Sequence, residues 1–352
     1  MKTWLKISCA FFVISGIILG GCGPEPAAPG HSATEAGPAD SILGFPVTVE
    51  NYNSQGQRVS TVYEKPPERI IALWQNSAET LIELGAEDDI IAVSGIDDES
   101  QLAPENRAVY KTLPVLSKQI LNQETAASLQ PDFILGWLFD FTGKANSVGT
   151  WNYWHQRKVP VYMTMMNNAD FLQSHTVEDE LKYVDDVGKI TGRQKKAGDI
   201  IQLIQNELNI DTAYGKEQAE KHGEKQKVLI IGSLVKDLHI YTPRTLPGNI
   251  VGRLGGTVLG REAESVGHAE IMSYESVVDE NPDVIFIQSK SEKDQEGLDA
   301  VYRHEALQNV NAVKNHRVYA VPFYTIRCPA VRVRDAIDIF ARGLYPGMNS
   351  SY

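Results

Sequence analysis

The chain has 352 residues, 42 % of them apolar and 22 % charged, which is enough for about two globular cores and too balanced for a disordered chain or a fibre. Its 33 basic and 45 acidic side chains leave a formal charge of −12, and no basic cluster offsets it. Such a surface repels a phosphate backbone, so nucleic-acid binding is excluded as a function class.

The N-terminus reads MKTWLKISCAFFVISGIILGGC. Lys2 and Lys6 form a short basic region, and Ile7 to Leu19 is a nearly unbroken apolar run, too short to span a bilayer comfortably. Residues 1–21 therefore read as a secretory signal. The ending Leu19-Gly20-Gly21-Cys22 resembles the bacterial lipobox, which implies that cleavage leaves a diacylated Cys22 as the new N-terminus. Acyl chains at about 0.8 kcal/mol per buried CH₂ would anchor it durably to a membrane. Taking 21 residues from 352 leaves 331, and losing Lys2 and Lys6 leaves 31 basic against 45 acidic groups, or −14. Cys9 departs with the signal and Cys22 is acylated, so Cys328 remains alone. One thiol makes neither an internal disulfide nor a paired-cysteine metal site, and Cys328 reads as a small buried residue.

Residues 22–42, rich in Pro, Gly, Ala and Ser, read as a flexible tether. A first lobe over 43–175 then alternates apolar runs with helical patterns. RIIAL (69–73) is a strand, SAETLIELG (77–85) a helix stopped by Gly85, and IIAVS (90–94), DFILGW (132–137) and VPVYM (159–163) are further strands. Continuous apolar strands separated by helices predict a parallel sheet covered on both faces. Over 176–210, apolar residues from Leu181 to Leu208 recur at three- and four-residue spacing, which predicts one long interlobe helix with Gly188 and Gly192 as its candidate breaks. The charged GKEQAEKHGEKQ (215–226) reads as solvated chain. A second lobe over 211–346 repeats the alternation with KVLIIG (227–232), a helix near 247–254, DVIFIQ (283–288), RVYAVP (317–322) and a final helix over 331–344. The fold class is thus α/β, two Rossmann-like lobes joined by a single long helix, and QPDFILGW (130–137) against NPDVIFIQ (281–288) marks the lobes as built alike.

These segments resemble the substrate-binding components of ABC importers for ferric siderophores, haem and cobalamin. The resemblance is carried by PPERIIALWQNSAETLIELGAEDDIIAVSG (66–95), LNQETAASLQPDFILGW (121–137), MSYESVVDENPDVIFIQ (272–288) and AIDIFARGLYP (336–346), with GNIVGRLGGTVLG (248–260) a weaker match, and it spans about 46–346. It implies a ligand held between two lobes, modest closure, an extracytoplasmic location at the cell membrane, and docking onto a permease whose ATPase subunits are separate proteins. It further implies that Glu124 and Glu275, one per lobe, pair with permease arginines.

In open α/β sheets ligands lie at the carboxyl ends of strands. The residues there are Trp74 with Gln75 and Asn76 after RIIAL, Trp137, Phe139 and Phe141 after DFILG, Tyr241 and Arg244 in HIYTPRT (239–245), and Phe323, Tyr324 and Arg327 in VPFYTIRCP (321–329). Aromatic faces with a few guanidinium groups suit a large, conjugated, negatively charged ligand. A ferric siderophore brings its own iron ligands and fits first. Haem would need an axial Tyr324, Tyr241 or His268, and cobalamin makes less use of the arginines. No resident metal or cofactor is expected. The eight histidines show no HxH or HxxxH spacing for a bare zinc or manganese ion. There is no GxSxG, HExxH or GxxxxGK[ST], so no catalytic residue is assigned and the chain is expected not to be an enzyme.

Overall fold

The structure, a computed structural model, describes residues 44–164, 174–234, 238–260, 270–290 and 294–348. Cys22, the signal and tether expected over 1–42, and His268 lie outside the described residues. An antiparallel hairpin of β1 (Val47–Tyr52) and β2 (Arg58–Tyr63) comes first and has no counterpart among the expected elements. Its turn is held by Asn53, whose Oδ1 accepts from Gln55 N at 2.9 Å and Gln57 N at 3.0 Å.

The first-lobe sheet contains β3 (Ile70–Leu73), β4 (Ile90–Ser94), β5 (Val115–Ser117), β6 (Phe133–Trp137) and β7 (Val161–Thr164). All are parallel, in the order β5-β4-β3-β6-β7. Every residue of β3 is fully buried, as a central strand covered on both faces must be. Strand order reverses between β3 and β6, which opens a crevice at their carboxyl ends. The second lobe contains β8 (Lys227–Ser233), β9 (Leu238–Ile240), β10 (Thr257–Val258), β11 (Glu270–Met272), β12 (Val284–Ser289) and β13 (Val318–Pro322). Their order is β11-β9-β8-β12-β13 with β10 beside β8; β9 is antiparallel to both its neighbours and the other pairs are parallel. The architecture is α/β in two lobes.

Both lobes use one device to launch a strand. The helices Gln123–Ser128 and Tyr274–Glu280 are capped by Asn122 and Ser273, which accept from Thr125 N and Ser276 N. Left-handed residues then turn the chain, Gln130 at φ +52° and Asn281 at +48°. The aspartate of each Pro-Asp pair ties the start of the neighbouring strand: Asp132 accepts from Glu68 N and Arg69 N, and Asp283 from Lys227 N.

The interlobe segment differs from the single helix expected over 176–210. It is two helices, Val177–Ile190 and Gln194–His222, turned back on each other at Thr191–Arg193. Gly192 makes the turn at φ +72°, whereas Gly188 stays helical and leaves the space in which Ala197 of the second helix packs. One end of the pair meets the second lobe, with Val177 N donating to Asn249 Oδ1 and Gly215 against Leu254. The turn meets the first lobe, where Gly192 lies against Pro66 and Phe45. The second helix also absorbs most of the charged segment expected as solvated chain, and it ends at Gly223, φ +76°. A helix with one apolar stripe and long charged groups elsewhere reads alike whether it packs or floats, so charge alone did not mark its end.

Candidate ligand-binding cleft

Trp74 follows β3 directly as the first residue of the Trp74–Leu84 helix and Trp137 is the last residue of β6, so both stand at the crevice where strand order reverses. Their ring centroids are 5.4 Å apart at 31°, and Phe139 meets Trp137 edge-on at 5.2 Å. Phe139 is 53 % exposed, so the aromatic group has an open margin. Trp74 adopts φ +69°, a conformation that costs a non-glycine residue about 1–3 kcal/mol and persists where the surroundings over-determine it.

What determines it is polar. Asp140, in the short turn after β6, accepts from Trp74 Nε1 at 2.8 Å and from Trp137 N at 2.7 Å through the same oxygen, Oδ2. Asn76, buried, accepts from Trp137 Nε1 at 2.9 Å. Burial pushes the Asp140 carboxyl up to about 7 against the opposing pull of the two N–H donors. Asn76 is among the residues expected at the site, and Asp140 is not.

Gln75 points elsewhere. It is buried and donates to Glu79, which is fully buried and also accepts from Ala103 N at 2.6 Å. Arg332 of the second lobe donates to the same carboxylate at 3.3 Å and to Gln101 O at 3.2 Å, while Arg334 reaches Glu83 at 3.3 Å and Glu105 at 2.9 Å. Glu180, paired with His175, accepts from Ala330 N. Gln75 thus belongs to a buried network that fastens one lobe to the other.

In the second lobe Tyr241 donates to Gln288 Oε1 at 2.5 Å. Burial raises its phenol, and the neighbouring Arg327 guanidinium works against that rise. Arg327 is exposed. Tyr324, half-buried, lies under the Arg332 guanidinium at 5.2 Å, which places it at the lobe junction. Arg244 is half-buried before the Leu246–Arg253 helix, and its carbonyl accepts from His175 N at 2.9 Å. The expected residues therefore fall into an aromatic group (Trp74, Trp137, Phe139), a Tyr241–Arg327 pair, and Gln75 and Tyr324 in or against the interlobe network. Glu124 and Glu275 are exposed, each the second residue of its helix, and the first-turn N–H of Glu275 itself, with Ser273, holds that carboxyl below its usual range.

Two hollows lie away from these residues. One of 570 Å³ contains Gln226, Arg317 and Tyr345, where Gln226 and Arg317 cap the final helix by donating to Leu344 O. The other, 740 Å³, runs beside β2 past Trp151 and Lys158. Among the described residues no group of three or more His, Cys, Asp or Glu could hold a metal ion, and no helix is long and apolar enough to cross a membrane. Cys328 is buried.

A family model described as periplasmic binding protein matches residues 70–325. The chain is 22 % identical over 337 residues to the uncharacterized ABC transporter substrate-binding lipoprotein YvrC of Bacillus subtilis, covering 96 % of each chain. It is 25 % identical over 260 residues to the achromobactin-binding periplasmic protein of Dickeya dadantii, covering 72 % of this chain and 78 % of that one. To the vitamin B12-binding protein of Vibrio parahaemolyticus it is 24 % identical over 278 residues, covering 79 % and 89 %. Among solved structures, a periplasmic binding protein from Veillonella parvula superposes with a TM-score of 0.75 at 33 % identity, over 87 % of this chain and 93 % of that one.

Proposed function

The chain belongs to the periplasmic binding protein family, and from that premise we propose that it captures a ferric siderophore between its lobes and hands it to an ABC permease. Proteins of this kind bind solutes outside the cytoplasm and are not enzymes; a permease and its ATPase subunits do the transport. The observation that carries the ligand reading is the Trp74–Trp137–Phe139 group at the crevice of the first lobe. It offers apolar faces to a ligand's rings, and the exposed Arg327 of the second lobe offers a guanidinium to anionic oxygens around the iron. The chelator supplies the iron ligands, so the chain needs none of its own. The achromobactin-binding relative supports this reading. The vitamin B12-binding relative supports cobalamin as the second reading, since a corrin ring also stacks on indole but has less use for Arg327.

Two further assignments complete the proposal. Cys22 carries the lipid that holds the protein at the membrane, and Glu124 and Glu275 dock the lobes onto basic permease groups. The test is tryptophan quenching in a form that starts after Cys22, titrated with ferric hydroxamate, ferric catecholate, haem and cyanocobalamin. Saturable quenching by a ferric siderophore is expected, weakened roughly tenfold or more in Arg327→Ala, the worth of one hydrogen bond to a charged group. Glu124→Ala with Glu275→Ala should leave that affinity alone and depress uptake by whole cells. Quenching by cyanocobalamin alone, untouched by Arg327→Ala, would replace the first reading with the second.

A further inference from the structure

We infer that Asp140 is the positioning residue of the cleft: by accepting from Trp74 Nε1 and from the Trp137 backbone N–H at once, it ties the Trp74 indole to the end of β6, beside the Trp137 indole, and so fixes one surface for a planar ligand face. The inference rests on the binding-site reading above for its ligand, though its geometry stands without it. Three observations carry it. Both hydrogen bonds end on the same oxygen, at 2.8 and 2.7 Å, so the Trp74 ring cannot shift relative to the β6 main chain at Trp137 without breaking its bond. The residues joined are 66 positions apart, and a carboxylate needed only to cap the short turn at Leu138–Phe141 would stop at the Trp137 N–H. Asp140 is also 2 % exposed, so water cannot replace it as the acceptor.

The packing around the carboxyl is equally specific. A side chain at Gly136 would come within 2.8 Å of Leu73 and 3.0 Å of Asp140 Oδ2, so β6 leaves the space the carboxyl fills. The neighbours on that side, Leu73, Gly136 and Val148, are uncharged, and among the described residues burial raises the Asp140 carboxyl while the two N–H donors lower it. Asn76, on the Trp74–Leu84 helix, accepts from Trp137 Nε1 and holds that ring, so each indole N–H has a buried acceptor and only the ring faces remain to meet a ligand. Rigid aromatic faces bind at little entropic cost, which is what pre-organisation contributes to affinity.

The test reads the ring pair directly in ligand-free protein. Two indoles at this separation give an exciton couplet in far-ultraviolet circular dichroism, and Trp137→Phe identifies it by removing it. Asp140→Ala should lose at least half of the couplet while the helical signal and a cooperative melt persist, and Asp140→Asn, which keeps an acceptor oxygen, should retain it. An undiminished couplet in Asp140→Ala overturns the inference. Should Asp140→Ala not fold, the Trp74 Nε1–H resonance of the intact protein decides: it should be protected from solvent exchange and should move in Asp140→Asn, where an amide oxygen replaces the carboxyl as its acceptor. An unprotected resonance at the same position in both proteins overturns the inference. The ligand arm is separate. With ferric enterobactin and cyanocobalamin as probes, whichever quenches the wild type should bind Asp140→Ala roughly tenfold more weakly. Lost couplet with unchanged affinity would keep Asp140 as the ring clamp and remove the ring pair from the ligand site. Silence from both probes leaves the couplet to decide the clamp and counts against the ligand reading alone.

Discussion

Asp140 keeps a proton that the unfolded chain gives up near 3.8, because burial raises its carboxyl to about 7. Between those values the folded state binds more protons, so stability falls as pH rises through the window and levels off above it. Asp211, raised to about 6 by burial and then by Asp338, acts in the same direction over a narrower range. At about 1.4 kcal/mol per unit, the Asp140 contribution should fall by about 2–3 kcal/mol from about pH 5 to about pH 8. Asp140→Asn should remove that fall, so denaturation curves of variant and wild type should converge in acid and separate in base, with the variant the more stable. Parallel pH profiles would show that the carboxyl titrates normally. The strand-end rule found Trp74 and Trp137 from the sequence, because each follows an apolar run. It also reached Asn76, but neither Asp140 nor the bond Asn76 makes, since the partners are 66 and 61 residues away and only the folded sheet brings them together. Gln75 shows the converse: next to Trp74 in sequence, it faces the opposite side of the same helix and bonds Glu79 one turn on.

Gly188 and Gly192 look alike in the sequence and do opposite work in the interlobe hairpin. Gly192 breaks the helix at positive φ, while Gly188 lets two helices touch at Ala197. Gly188→Ala gains about 1 kcal/mol of helix propensity and should still destabilise by a net ~1–3 kcal/mol, because the added methyl has no room. Adding Ala197→Gly should restore much of the loss in urea unfolding, and a single Gly188→Ala more stable than wild type would show that the helices do not meet there. The central strands were legible because parallel strands buried on both faces are unbroken apolar runs, as in β3, β8 and β12. The β1–β2 hairpin was not, although VTVENY and RVSTVY alternate around a polar turn, because attention to continuous runs passes over half-exposed alternation. The capped-helix, Pro-Asp repeat at 122–132 and 273–283 was visible as similar strings, and its meaning lies in Asp132 and Asp283, which tie neighbouring strand starts.

Closure of the whole molecule is limited by how its lobes are joined. A flexible tether would let them swing freely, whereas here the helical hairpin crosses between them and the Arg332–Glu79 pair is sealed inside, with side chains 8 % and 0 % exposed. Removing one partner of such a pair leaves a buried uncompensated charge, at about 3–5 kcal/mol, whereas replacing both with apolar residues of similar volume can be neutral. Arg332→Met alone should therefore lower the melting point sharply, and Arg332→Met with Glu79→Leu should recover a part limited by Asp335, Ala103 N and Gln75, which also bond the pair. Additive losses in the double variant would show that the two side chains do not meet. Because Glu79 shares a helix with Trp74, the same cycle tests whether the fastening also sets the cleft. If it does, the single variant should change the Trp74–Trp137 couplet and the double variant should restore it. If the couplet is constant across the cycle, the aromatic surface is fixed within the first lobe alone by Asp140 and Asn76, and the second lobe closes on a part already formed.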